Sequence, residues 1–413
     1  MTRQADQRRL VVLGSTGSIG RQTLDLALAH AERFSVVGLA VSRQAAALAE
    51  QVVQFRPEWC AIADASAYSP RLAAAADSVG AQVLTGQDAA ERLVDLTEPA
   101  VVLNAISGLG GLGPALRALA GSAVLGMASK EPLVAAGLML RQVERSGQAT
   151  LVPVDSEPAG LHQCLADRSL CRLETVYLTA SGGPFWQRDP RTLVNVTPGE
   201  ATRHPRWPMG PKISVDSATM FNKGLEAIEI SKLFGIGLDR IRIVVHPQSI
   251  VHALVEFADG SLLAQLGPTD MRVPISRAMF WPDQAPTAAA RLDLAGLSLG
   301  FSYPDLTQWP CLRAALAAGA SGGCAPAVIS AADEVLVSGF ISGMIGFTDI
   351  GQGLWAVLEA YWQQESPQQA GPGEPADIAV LLDADTWARS SAASWMDHNG
   401  SGAVSSPGPG KRM

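Results

Sequence analysis

Leu10-Val11-Val12-Leu13-Gly14-Ser15-Thr16-Gly17-Ser18-Ile19-Gly20 is an apolar run that breaks into a glycine-rich turn, and the amphipathic stretch Gln22 to His30 follows directly. Four consecutive apolar residues bounded by glycine read as a buried strand. The glycines permit a tight turn and a close approach of backbone to a ligand, and a helix start offers unpaired N–H groups at its positive end. That combination suits a pyrophosphate. The spacing is GxxGxxG, a variant of the dinucleotide fingerprint, and the strand-loop-helix context is what gives it weight. Gly14, Ser15, Thr16, Gly17, Ser18, Ile19 and Gly20 are therefore candidate cofactor contacts.

On either side of this turn the pattern repeats in coarser form. Val36–Val41, Cys60–Ile62, Val101–Ala105, Ala123–Met127 and Thr150–Val154 are β-rich runs separated by Ala- and Leu-rich helical stretches. Alternation of this kind predicts an α/β domain, a Rossmann-like parallel sheet, over residues 1–152. From residue 153 to 282 the texture changes to Gly- and Pro-punctuated segments with strand-like runs at Thr175–Leu178, Ile241–Val245, Ala253–Phe257 and Ser261–Gln265, read as a central α+β catalytic domain. Residues 283–310 read as a linker, 311–397 as a C-terminal helical bundle and 398–413 as a disordered tail.

Composition narrows the function. The chain has 413 residues, 47% hydrophobic and 17% charged, enough for two or three domains with real cores. A net charge of -8 argues against a nucleic-acid partner, because phosphate-backbone binding draws on a basic surface. No uninterrupted apolar run is long enough to span a bilayer, and the polar start Met1 to Arg9 lacks the features of a signal peptide. The expected location is cytoplasmic. Five cysteines, Cys60, Cys164, Cys171, Cys311 and Cys324, are scattered without a CxxC pair, which suggests buried free thiols rather than zinc or disulfides.

Where a ribose-binding acid would complete an NAD site, the second strand ends in Ser42-Arg43-Gln44. A hydroxyl and a guanidinium suit a 2′-phosphate, so NADPH is the expected cofactor.

A second cluster of polar residues begins at Asp155-Ser156-Glu157, which leaves an apolar strand with two acids two residues apart. In extended chain that spacing puts both carboxylates on one face; taken alone, the two acids would read as a helix cap or a solvated turn. A third, Glu226, falls where an otherwise apolar helix begins in Phe221-Asn222-Lys223-Gly224-Leu225-Glu226. Three carboxylates suit Mg²⁺ or Mn²⁺ better than zinc. Between them lies His204-Pro205-Arg206-Trp207-Pro208-Met209-Gly210-Pro211-Lys212-Ile213-Ser214-Val215-Asp216-Ser217, dense in donors. Ser181, His204, Ser217, Asn222 and Lys223 could bind phosphate oxygens, while Trp207 and Met209 read as a lid over a substrate. Lysine occurs only at positions 130, 212, 223, 232 and 411. A lysine kept in an arginine-favouring chain suggests a need for a compact ammonium, which singles out Lys130 and Lys223. Lys232 reads as a solvated helix-face residue and Lys212 stays undecided. Among the histidines, His246 reads as structural and His252 is open between structural and near-site roles, while His30, His162 and His398 carry no assigned role.

These residues closely resemble the 1-deoxy-D-xylulose 5-phosphate reductoisomerase family. The resemblance is carried by GSTGSIG, PVDSE, SGGPF, HPRWPMGPKISVDSAT, NKGLE, HPQSIVH and LAQLG, and it runs from Leu10 to about Pro282 with a weaker helical continuation. It implies an NADPH domain, a catalytic domain, a helical C-terminal domain and a homodimer. It also implies that Asp155, Glu157 and Glu226 hold the metal, that Lys130 and Ser156 touch the phosphorylated sugar substrate, and that Ser129 and Glu131 flank Lys130 beside the cofactor. Several neighbours depart from the family pattern. Pro158, Ala159 and Gly160 replace HNA after PVDSE, Ser129 replaces the asparagine of ANKES, Phe221 stands in DSATMMNK, and NAANE has become Ser330-Ala331-Ala332-Asp333-Glu334. The departures leave room for other readings: a diverged paralogue acting on a related phosphorylated or phosphonylated hydroxyketone, a catalytically weak NADPH-binding regulatory protein, or a plain dehydrogenase.

Overall fold

The computed structural model describes residues 7–121, 123–165, 172–203, 209–364 and 377–399. The expected contacts His204 and Trp207, Cys171 and all but two residues of the expected tail lie outside them. The chain forms two compact units.

The first unit comprises Met1–Tyr177, Lys232–Gly235 and Ile250–Ser298. Its strands β1 (Arg8–Leu13), β2 (Phe34–Val41), β3 (Trp59–Ile62), β4 (Gln82–Thr85), β5 (Val101–Asn104), β6 (Val124–Met127) and β7 (Thr150–Pro153) form one seven-stranded sheet in the order β4-β3-β2-β1-β5-β6-β7. Every adjacent pair is parallel. Helices α1 (Ser18–Ala29), α2 (Ala45–Phe55), α3 (Pro70–Val79), α4 (Ala89–Thr97), α5 (Leu112–Ala120) and α6 (Glu131–Ser146) make the crossovers. Leu10, Val11, Val12 and Leu13 are all fully buried, as an apolar run covered on both faces requires. Because β2 and β5 both flank β1, the chain changes direction across β1, and such a switch point opens a crevice at the carboxyl ends of the strands. The Gly14 turn sits there. Gly14 N donates to Ala40 O and Ala105 N donates to Leu13 O, drawing the ends of all three strands together.

β7 leads into α7 (Ser156–Cys164), and the chain continues through β8 (Leu173–Ala180), α8 (Pro198–Ala201), α9 (Pro211–Ala218), α10 (Phe221–Phe234), β9 (Ile241–Val245), β10 (Val251–Phe257), β11 (Leu262–Leu266) and α11 (Arg272–Phe280). A second, four-stranded sheet has the order β11-β10-β8-β9. The second unit comprises Leu178–Ser231, Ile236–Ser249 and Leu299–Met413. It contains α12 (Pro310–Ser321), α13 (Ala325–Ile341), α14 (Phe347–Gln364) and α15 (Ile378–Asn399). α13 packs on each of the other three and is buried along most of its length, which explains a sequence apolar on nearly every face.

β4 and α11 are among the elements that escape the sequence reading. β4 is short, and its Gln82 is exposed. α11 lies in a stretch read as loop-rich, yet Ile275, Ala278 and Met279 are fully buried in the core of the first unit. Gly126 of β6 makes room for it, since a Cβ there would stand 2.9 Å from the Ala278 Cβ.

Candidate active site

The glycine turn is built by close contacts that admit no side chain. Gly14 has φ +77, and a Cβ at this residue would lie 2.4 Å from Ala105 O; one at Gly20 would lie 2.3 Å from Gly14 O. Ser15 is buried with its hydroxyl donating to Gln51, so it shapes the turn, whereas Gly17 and Ser18 are exposed at the start of α1. At the end of β2, Ser42, Arg43 and Gln44 are exposed, and Arg43 Nε donates to Asp64 Oδ2 at 2.7 Å. Hydrogen bonds from Ser66 first, and then from Arg43, hold the Asp64 carboxyl below its ordinary range.

Two of the candidate site residues, Lys130 and Asp155, follow strand ends. β6 and β7 pair with Met127 opposite Pro153, so the segments that follow them start side by side. Lys130, 7% exposed, ends the first segment and Asp155 begins the second; their Nζ and Oδ2 stand 2.6 Å apart. Ser129 is buried beside Lys130, and Glu131 opens α6.

The extended-chain reading of Asp155 and Glu157 is corrected here. Asp155 is the N-cap of α7, accepting from Ser156 N at 2.9 Å, and Glu157 lies in the first helical turn. A carboxylate at an N-cap satisfies an N–H that the helix leaves unpaired, and a second acid in the first turn suits the helix dipole. The Ser156 hydroxyl donates to Glu157. On α10 Glu226 is 1% exposed, and Asn222 and Lys223 donate to its two oxygens. Asp155 and Glu157 offer carboxylate oxygens in the first unit and Glu226 offers one in the second, which together make a candidate donor set for a metal ion. Lys130 offsets the charge of Asp155 and Lys223 that of Glu226, and an all-oxygen donor set fits a hard divalent ion.

Of the expected phosphate contacts, Ser181, Ser217, Asn222 and Lys223 all lie in the second unit. Ser181 Oγ accepts from Gly183 N at 3.2 Å. Gly183, with φ +68, lies so close to α9 that a Cβ there would be 2.5 Å from Ser217 O. Asn222 and Lys223 follow Met220, whose φ of 59 turns the chain into α10. Met209, one of the two residues expected to cover the substrate, is half-buried.

Structural roles claim other residues. Lys232 is not solvated as expected: its Nζ donates to Val134 O at 2.6 Å, beside the kink at Ala136 in α6. A kink leaves carbonyls without their helical partners, and the ammonium supplies one. His246 bonds Gly300 O at 2.9 Å and stacks on Phe301, in keeping with a structural role. His252 is buried. Cys60, Cys164, Cys311 and Cys324 are buried free thiols.

A parallel dinucleotide-type sheet and a three-carboxylate centre define an oxidoreductase that works with a divalent metal. Comparison with known proteins gives the particular family. Residues 10–137 match the 1-deoxy-D-xylulose 5-phosphate reductoisomerase profile, 151–234 its C-terminal domain profile, and 266–391 a further C-terminal domain profile of DXP reductoisomerase. The reductoisomerase of Moorella thermoacetica is 43% identical over 383 residues, 92% of this chain and 96% of that protein. That of Paraburkholderia xenovorans is 45% identical over 399 residues, covering 94% and 96%. Among solved structures, the Zymomonas mobilis enzyme in complex with NADPH superposes with TM-score 0.86 at 37% identity, covering 95% of this chain and 100% of that one. A DOX-P reductoisomerase in complex with NADPH, fosmidomycin and magnesium gives 0.88 at 32% identity, covering 96% and 100%. The chain belongs to the 1-deoxy-D-xylulose 5-phosphate reductoisomerase family.

Proposed function

We propose that this chain converts 1-deoxy-D-xylulose 5-phosphate to 2-C-methyl-D-erythritol 4-phosphate, using NADPH and Mg²⁺ or Mn²⁺. The carboxylate set Asp155, Glu157 and Glu226 supports this reading, because hydride transfer alone needs no carboxylate trio. A divalent ion held by these three would polarise the hydroxyketone oxygens during carbon–carbon rearrangement, and NADPH would supply the hydride. Lys130 holds Asp155 in place and presents its ammonium to the substrate. Ser156 orients Glu157, and Asn222 and Lys223 orient Glu226 while closing the phosphate side with Ser181, Ser217 and His204. Binding energy from the phosphate, remote from the reacting bond, orients both fragments of the rearrangement. Gly14 to Gly20 cradle the pyrophosphate, Ser42, Arg43 and Gln44 meet the 2′-phosphate, and Ser129 and Glu131 flank the nicotinamide side. Trp207 and Met209 cover the substrate.

The changes at Pro158, Ala159 and Gly160 read as packing. A Cβ at Gly160 would stand 2.9 Å from Gln265 Oε1 and 3.2 Å from the His252 Cβ, so the small residue lets α7 lie on β10. Residues 1–152, 153–282 and 311–397 serve as cofactor, catalytic and helical domains. The working form is a homodimer: Leu294, Leu297, Leu299, Phe301, Tyr303 and Leu306 expose an apolar run in one short segment, more than single surface hydrophobics would present.

Supplying the ketose and the rearranged aldehyde in separate assays tests the reaction. The proposal expects metal-dependent consumption of both; reduction of the aldehyde with no consumption of the ketose contradicts it and leaves a plain dehydrogenase.

A further inference from the structure

Ser15 is fully buried in the glycine turn, and Gln51 of α2 meets it at two points. The Ser15 hydroxyl donates to Gln51 Oε1 at 2.7 Å, and Gln51 Nε2 donates to Ser15 O at 2.9 Å. A side-chain amide carries an acceptor and a donor side by side, so one residue satisfies both polar groups that the burial of Ser15 would otherwise strand. The remaining backbone group is engaged as well, because Ser15 N donates to Ala40 O at the end of β2. α2 is a firm mount for this contact: Leu48 and Val52, which precede and follow Gln51 on the helix, are both fully buried.

What Gln51 holds bears on the groups that face a ligand. The peptide between Ser15 and Thr16 is planar and trans, so its C=O and N–H point in opposite directions. With Ser15 O turned to Gln51, the Thr16 N–H is turned away from α2. Gly17 then caps α1, and the first helical bond runs from Arg21 N to Gly17 O, which leaves the N–H groups of Ser18, Ile19 and Gly20 ahead of it without a helical partner. We propose that Gln51 is a positioning residue for the dinucleotide: by fixing the hydroxyl and carbonyl of Ser15 it sets the direction of the Thr16 N–H and of the first turn of α1 toward the pyrophosphate. This rests on the reading of Gly14 to Gly20 as the pyrophosphate cradle. A pyrophosphate is common to NADPH and NADH, so the effect of Gln51 falls on both alike, in contrast to Arg43, whose expected partner belongs to NADPH alone.

The test is fluorescence titration of the full chain with NADPH and with NADH, without sugar phosphate, at a temperature well below the unfolding of each variant. Gln51→Met keeps the length of the side chain and removes both hydrogen bonds; it is expected to raise the Kd of both nucleotides about tenfold. Ser15→Ala removes one of the two bonds. It is expected to raise Kd about threefold in the parent and to add nothing in Gln51→Met, where the hydroxyl has already lost its partner. A parent-like Kd in Gln51→Met, with or without a lowered melting temperature, overturns the proposal. So does a loss confined to NADPH, or a Ser15→Ala effect that adds in full to that of Gln51→Met. If Gln51→Met fails to fold, Gln51→Glu decides by the same titration: it keeps an acceptor for the Ser15 hydroxyl, loses the donor to Ser15 O, and is expected to raise both Kd values. The parent separates the two readings. No binding of either nucleotide contradicts the cradle and the role of Gln51 with it, whereas parent binding unmoved by Gln51→Met contradicts only the role of Gln51.

Discussion

Glu226 is nearly sealed from solvent, with Asn222 and Lys223 donating to its oxygens. Glu226→Gln keeps the shape and removes the charge, so it is expected to abolish metal-dependent turnover while leaving NADPH binding intact, read by nucleotide fluorescence titration beside a turnover assay. Unchanged turnover would remove Glu226 from the ligand set. Arg43 is different: it lies at the surface with Asp64, and an exposed pair of this kind adds little to stability. Arg43→Ala is expected to raise the KM for NADPH about tenfold, as a lost charge-assisted contact would, and to leave that for NADH and the melting temperature nearly unchanged. Equal effects on both nucleotides would contradict the 2′-phosphate role. At this scale the candidate metal set was legible before the fold, because hard-ion chemistry requires carboxylates and few others stood in polar, glycine-rich surroundings. How each is held could be read only in part. Asp155 and Glu157 owe their arrangement to a helix start, which an acidic cap residue does mark in the sequence, and Lys232 to a kink in another helix, which no residue near Lys232 marks.

The elements hold these residues by backbone contact as much as by side chains. Gly20 is the sharpest instance, since a methyl there would sit 2.3 Å from Gly14 O and 2.6 Å from the Ser15 Cα. Gly20→Ala is expected to weaken NADPH binding at least tenfold and to lower stability by about 1–3 kcal/mol, the usual range for overpacking. Thermal unfolding together with a cofactor titration measures both, and parent-like values in each would show that the turn has slack. Strands with continuous apolar runs, such as β1 and β2, were evident from the sequence because they are buried on both faces. β4 carries polar residues at the sheet edge, and α11 begins among Arg272, Val273 and Pro274 after a loop-like stretch, so its helical character comes from the core it enters rather than from its own pattern.

For the molecule as a whole, acid sensitivity has a named source. His162 on α7 lies against the Trp281 ring at a tilt and is held down to about 4 by burial first, then by Arg277 and Arg141. A depressed histidine stabilises the fold above its unfolded value near 6.5, and that contribution is lost as pH falls through about 4. His162→Phe is expected to flatten the fall in melting temperature across this window; a parent-like slope would place the acid sensitivity elsewhere. The family and its three matched segments account for most of the chain, and no helix among the described residues is long and apolar enough to cross a membrane. The central claim is the coupled rearrangement and reduction. It is tested most directly by following NADPH oxidation by the purified chain with 1-deoxy-D-xylulose 5-phosphate and Mg²⁺ or Mn²⁺, and identifying the product. Metal-dependent formation of 2-C-methyl-D-erythritol 4-phosphate is the predicted result; intact NADPH binding without turnover of this substrate would contradict it.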